Sequence, residues 1–322
     1  MGDDRSQARR HAPRRRCGDH PRECGDGPFD SLPLAPAGRV AVIGEFAAAL
    51  RFQGGGSSHV NATRVDSPVD ELRALLPDAQ VDFAQGYDTT GRSDAAQLHE
   101  EAVAPAAQAD TAVRVVGLRE ADESEGYDRE HLLLPRDQVE LVRAVARAAR
   151  RTAVVLLNGG VVTMEGRHDE VDAVVEAWLP GQGGGAIADV LTGRANPSGH
   201  LAETVPRRLV ETPSFLNFPG EQGHVRYGEG VMVGHRYHET ADVAVRYPFG
   251  HGLSYTTFDR TDFRVIADGP DTATVSNTGD RFGNVVQIYV AEPRRPVSSP
   301  ARELRGFSKV ALAPGGPGSV NW

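Results

Sequence analysis

The sequence predicts an α/β protein, a mostly parallel sheet flanked by helices, followed by an antiparallel β-sandwich that the chain begins but does not complete. Three observations carry this. Short apolar runs of strand length alternate with segments of helical period from Arg39 to Leu191, and the runs close in glycine or a polar loop. Beyond Pro206 the composition shifts to Gly, Pro, Tyr, His and Phe without helical period. From Phe258 short β segments recur between turn residues.

The elements follow in order. Residues 1–31 are Arg, His, Asp, Gly and Pro with almost no apolar periodicity and read as a disordered basic tail. Arg39 to Gly44 is a buried parallel strand ended by glycine. Ser67 caps a helix from Pro68 to Leu76, with proline at its first position and Asp70 and Glu71 in its first turn. Val81 to Ala84 is a strand, Asp94 to Gln108 a helix and Thr111 to Leu118 a second buried strand. A polar loop runs from Arg119 to His131. Val139, Leu141, Val142, Val145 and Ala146 mark a helix between Pro135 and Arg150, and Thr152 to Leu157 is a strand ending in Asn158, Gly159 and Gly160. Val171 to Trp178 reads as a strand and Gly184 to Leu191 as a helix. Residues 32–212 thus form the α/β domain and 213–257 an ordered connection. In 258–322, the runs at Phe263 to Ile266, Thr272 to Val275 and Val285 to Val290, with turns at Asn277 to Asp280 and at Pro293, begin a sandwich with too few strands to close two sheets.

Composition narrows the function. With 39% hydrophobic and 25% charged residues the 322-residue chain is not disordered throughout. A net charge of −9 argues against nucleic-acid and anionic-membrane partners, which need a basic field. Lys309 is the only lysine, so no phosphate-gripping or Schiff-base lysine is on offer in the α/β domain. Cys17 and Cys24, with His11 and His20, lack a zinc spacing, and no metal site is expected. No stretch approaches the roughly 18 apolar residues of a membrane span. No apolar core follows Arg14 to Arg16 to make a secretory leader, which leaves a cytoplasmic location as the default.

In a parallel sheet the ligand crevice lies at the carboxyl ends of the strands, so the loops after Gly44, Leu118, Leu157 and Trp178 are the ones to read. The loop from Glu120 to Glu130 crowds acids after a buried strand. It reads either as a solvated acidic loop with an Asp128–Arg129 ion pair, or as the seat of a general acid whose pKa is raised by like charges. The Gln53 to Asn61 loop lacks dinucleotide spacing. Gly55, Gly56 and Ser57 there suit either a flexible loop or close backbone approach to a sugar.

Five motifs stand in order: Gly54-Gly55-Gly56-Ser57; Glu123-Ser124-Glu125-Gly126-Tyr127-Asp128-Arg129 with Leu134-Pro135; Trp178-Leu179-Pro180-Gly181-Gln182; Asn196-Pro197-Ser198-Gly199; and Tyr247-Pro248-Phe249-Gly250-His251-Gly252-Leu253-Ser254-Tyr255. Together they resemble glycoside hydrolase family 3, the β-glucosidase-like enzymes, from about Leu32 to Pro314. The resemblance implies the family's C-terminal α/β-sandwich domain and the start of its fibronectin type III-like domain. It further implies a retaining glycosidase in which Glu125, with Glu123 as the fallback, is the acid/base. Asp128 and Arg129 would shape the loop, and Gly55, Gly56 and Ser57 would line the substrate. The substrates implied are a small saccharide or an aryl or alkyl β-glucoside, with no cofactor. The family's nucleophile is an aspartate on a preceding barrel. Its Ser-Asp-Trp motif occurs nowhere in the sequence, Ser93-Asp94-Ala95 lying in a helix of the other domain, and Gly166 stands where the family commonly has tryptophan. The expectation is therefore a chain inactive alone that needs a separately encoded barrel domain. The alternatives are a non-catalytic carbohydrate-binding or interaction module and a truncated gene product.

Overall fold

The computed structural model describes residues 31–164, 170–264, 272–279, 284–291 and 299–321. Residues 1–30 of the basic tail, with both cysteines, and Gly166, Val265, Ile266, Asp280 and Pro293 lie outside them, whereas Ser31, read as the end of that tail, is buried. Five apolar runs become parallel strands: β1 (Ala37–Ile43), β2 (Asp78–Ala84), β3 (Thr111–Gly117), β4 (Thr152–Leu157) and β5 (Ala173–Glu176). Their order is β2-β1-β3-β4-β5. β3 and β4 are buried at every residue, as central strands covered on both faces must be.

The helices are α1 (Glu45–Ala48), α2 (Pro68–Leu75), α3 (Ala95–Gln108), α4 (Arg136–Ala148) and α5 (Gly184–Leu191). Ser67 caps α2 by accepting the Asp70 N–H at 3.4 Å, and Asp94 caps α3 through the Ala96 N–H at 2.9 Å. Right-handed crossovers place α2, between β1 and β2, on one face. The crossovers β2 to β3 and β3 to β4 run in the opposite sense and put α3 and α4 on the other. The packing agrees, α2 against α5 and α3 against α4. The direction of winding reverses between β1 and β3, so the crevice opens above the carboxyl ends of those two strands.

The connection is more structured than its composition suggests. β6 (Val205–Pro206) pairs antiparallel with β7 (Val245–Tyr247), and α6 (His235–Thr240) lies between them. Asn196 Oδ1 accepts the Tyr255 N–H at 2.8 Å and the Ser254 hydroxyl at 3.0 Å, and Tyr255 Oη donates to Val190 O at 3.0 Å, so the last motif is tied to the end of α5.

The C-terminal part holds β8 (Phe258–Arg264), β9 (Thr272–Asn277), β10 (Asn284–Val290), β11 (Glu303–Val310) and β12 (Pro317–Asn321). They form two antiparallel sheets, β12-β9-β8 and β10-β11. Val275, Val286, Leu312 and Val320 share one buried cluster between them. The expectation of too few strands for two sheets missed β11 and β12. Gly306, Ser308 and Lys309 in the first, and Pro317, Gly318 and Ser319 in the second, blur the period-two alternation that marks a strand. Arg302 joins this part to α6 through a two-pronged bond to Glu239, both contacts at 2.7 Å.

Candidate active site

The chain after β1 turns at Gly44, whose φ of 127° suits only glycine, and leads through α1 to the loop at 51–60. The chain after β3 leads into the acidic loop. The two loops meet above the switch point. Gly55 packs against the acidic loop so closely that a Cβ would stand 2.8 Å from Glu120 Cγ and Ser124 Oγ, and one on Gly56 would stand 3.2 Å from Glu125 Cβ. The close approach served by these glycines in this structure is that of one loop to the other.

The acids of the loop divide by partner. Glu120 faces His59 Nε2 at 3.0 Å. Asp122 accepts Arg119 Nε at 2.8 Å. Partial burial works to raise its pKa, but the Arg119 hydrogen bonds and charge outweigh this and lower it. Glu123 Oε2 accepts Arg51 Nη1 at 3.3 Å and the Gly159 N–H at 3.0 Å, and its backbone carbonyl accepts Arg51 Nη2 at 3.4 Å. Glu125 is exposed and takes a hydrogen bond from the neutral Ser57 hydroxyl. Asp128 is exposed as well, and no Asp128–Arg129 ion pair forms among the described residues. Arg129 Nη1 instead donates to Val161 O at 3.0 Å, and burial lowers the Arg129 pKa against the charges of Glu123 and Asp122.

A cleft of about 390 Å³ lies beside these groups, between Phe46, Leu50, Gln53, His59, Thr89 and Glu120. A second hollow, about 500 Å³ between Leu34, Leu76 and Thr192, is at the amino ends of the strands, away from this chemistry. No group of three or more His, Cys, Asp or Glu suited to a metal ion occurs among the described residues. No described helix is long and apolar enough to cross a membrane.

A parallel sheet of this order flanked by helices is the α/β domain that the sequence motifs implied. The Glycosyl hydrolase family 3 C-terminal domain matches residues 29–255. This chain belongs to glycosyl hydrolase family 3. A Fibronectin type III-like domain matches residues 284–321, the stretch of β10 to β12. The chain is similar to an exo-α-(1→6)-L-arabinopyranosidase of Bifidobacterium longum, 44% identical over 289 residues, which cover 88% of this chain and 38% of that protein. It is also similar to the crystal structure of the Bifidobacterium adolescentis family 3 β-glucosidase, with 45% identity and a TM-score of 0.85 over 90% of this chain and 44% of that one. The Kluyveromyces marxianus β-glucosidase, solved in complex with glucose, matches with 27% identity and a TM-score of 0.83 over 90% of this chain and 54% of that one. The chain thus spans less than two thirds of each of these relatives.

The carboxyl edge of the sheet holds further groups that the motifs did not single out. Glu176 ends β5 at the same carboxyl edge. Burial pushes its pKa up to about 7, nearby Glu123 adds to this, and hydrogen bonds from the Trp178 N–H at 3.0 Å and Asn158 Nδ2 at 3.4 Å oppose it. Arg51, in the loop after β1, is 8% exposed and also donates to Leu118 O. The sequence reading ran this strand on to Trp178, and only the structure ends it at Glu176. Nothing local marked Arg51.

Proposed function

We propose that this chain supplies the acid/base half of a retaining glycosidase site, with Glu125 as the proton donor. Glu125 gives a proton to the leaving glycosidic oxygen and then takes one from the water that releases the glycosyl intermediate. The nucleophilic carboxylate stands about 5 Å across the scissile bond in this reaction class. It comes from the barrel domain of the family's architecture, on the same polypeptide or a separate one. The substrate is a small β-glucoside with a sugar, aryl or alkyl leaving group, or an arabinopyranoside like that in the name of the Bifidobacterium longum relative.

One observation carries this reading. Asp122 and Glu123 each have an arginine partner and Glu120 faces the His59 imidazole, whereas Glu125 is exposed with only a serine hydroxyl on it. A covering domain is supported by the segment between β6 and α6, where Phe215, Leu216, Phe218, Tyr227 and Val231 are exposed, Leu216 at 92% and Tyr227 at 82%.

The test is an aryl β-glucoside assay. These 322 residues alone are expected to give no turnover, and mixing with a family 3 barrel domain is expected to restore it. Glu125→Gln should then lower kcat by about 10²- to 10⁴-fold. Turnover in the mixture that survives Glu125→Gln would overturn the assignment of Glu125, and turnover by these residues alone would overturn the half-site reading.

A further inference from the structure

We infer that Glu123 is a positioning residue that holds the acid/base loop in place, not a second proton donor. This rests on the reading of Glu125 as the acid. The two glutamates are two residues apart and equally acidic in sequence, but their surroundings differ. The Glu123 side chain is 19% exposed and the Arg51 side chain facing it 7%. Arg51 reaches both ends of the residue, Nη1 to the carboxylate at 3.3 Å and Nη2 to the backbone carbonyl at 3.4 Å. The Gly159 N–H closes the clamp from the segment after β4 at 3.0 Å. The Glu123 carboxylate therefore points into the junction of three loops.

The opposite shoulder of the loop is fastened to the same post-β4 segment, by Arg129 Nη1 on Val161 O at 3.0 Å. Between the two anchors the chain arches over Gly126, whose φ is 92° and whose Cβ position is open space. Glu125 stands on this arch, held from the side by Ser57. A side chain at Gly159 would run into Glu123 Oε1, so glycine there is a requirement of the clamp. With both shoulders pinned, the proton donor keeps its place through its own charge changes, the preorganisation that acid/base catalysis needs.

The experiment uses the full chain and needs no turnover. Amide hydrogen exchange is followed in wild type, Glu123→Ala, Glu123→Gln, Gly159→Ala and Glu125→Gln. Glu123→Ala and Gly159→Ala should speed exchange at 119–131 about tenfold or more while β3 and β4 keep their protection. Glu123→Gln, which keeps an acceptor oxygen, should restore most of that protection, and Glu125→Gln should leave loop exchange within about twofold. Unchanged loop exchange in Glu123→Ala would overturn the inference, as would protection lost equally across β3 and β4. These readouts stand whether or not Glu125 proves to be the acid, which the glucoside assay decides separately.

Discussion

Two regions of one sheet each bury an arginine, and they treat it differently. At the carboxyl edge, Arg51 donates to Leu118 O and to the carboxylate and carbonyl of Glu123. In the middle of β3, Arg114 is fully buried between Val113 and Val115. It gives Nη1 to Val142 O at 2.7 Å, but Nε and Nη2 have no hydrogen-bond partner among the described residues. Burial lowers the Arg114 pKa to about 10 against the charges of Asp172 and Glu170. A buried guanidinium has five N–H groups to satisfy, and an orphaned one costs what a paired one does not. The difference teaches where polar groups are organised here. At the edge, a carboxylate and a carbonyl from a neighbouring loop meet Arg51, whereas in the interior a single carbonyl meets Arg114.

The comparison breaks most directly at Arg51. Arg51→Ala removes the partner of a largely buried carboxylate and should destabilise the chain by about 3 kcal/mol in urea titration, with the loss centred on the acidic loop.

Glu176 sharpens it, as an edge carboxylate that burial has pushed up to about 7 from 4.5. The unfolded chain loses this proton first. Stability is therefore whole below about pH 4.5, falls as pH rises toward 7 and stays lower above it. Glu176→Gln should flatten that slope, so the variant gains on wild type by on the order of 2 kcal/mol at pH 8. Thermal melts from pH 4 to 8 with no divergence between the two proteins would refute this.

Arg114→Met carries the opposite sign from Arg51→Ala. It replaces an under-bonded charge with an apolar side chain of similar length and should stabilise by about 1–2 kcal/mol. A loss of stability would show that the interior arginine is compensated after all. Ser67→Ala, remote from both regions, should cost about 0.5–1 kcal/mol of helix-capping energy and leave the loops unchanged by hydrogen exchange.

Much of the fold was legible because its signals are local. The strand at Thr152 to Leu157 and the helix at Gly184 to Leu191 have the bounds that the apolar runs and glycines imply. The helix after Ser67 starts where serine, proline and two acids place it. What escaped was short or weakly patterned. α1 has four residues, α6 sits in a stretch of Gly, His and Tyr, and β6 and β7 need each other to exist as strands. The site divided in the same way. The Glu-Gly-Tyr-Asp-Arg motif marked Glu125 without a fold, but Arg51 lies 72 residues from Glu123 and Gly159 lies 36, and no local pattern joins them.

The sequence by itself determined the α/β class, the family and the place of the acidic loop after a buried strand, because periodicity, capping and motif order are written along the chain. Only the tertiary structure distinguished Glu123 from Glu125. Partners converging from the loops after β1 and β4 fasten the first and leave the second exposed, and such convergence is a property of the sheet's topology rather than of neighbours in sequence.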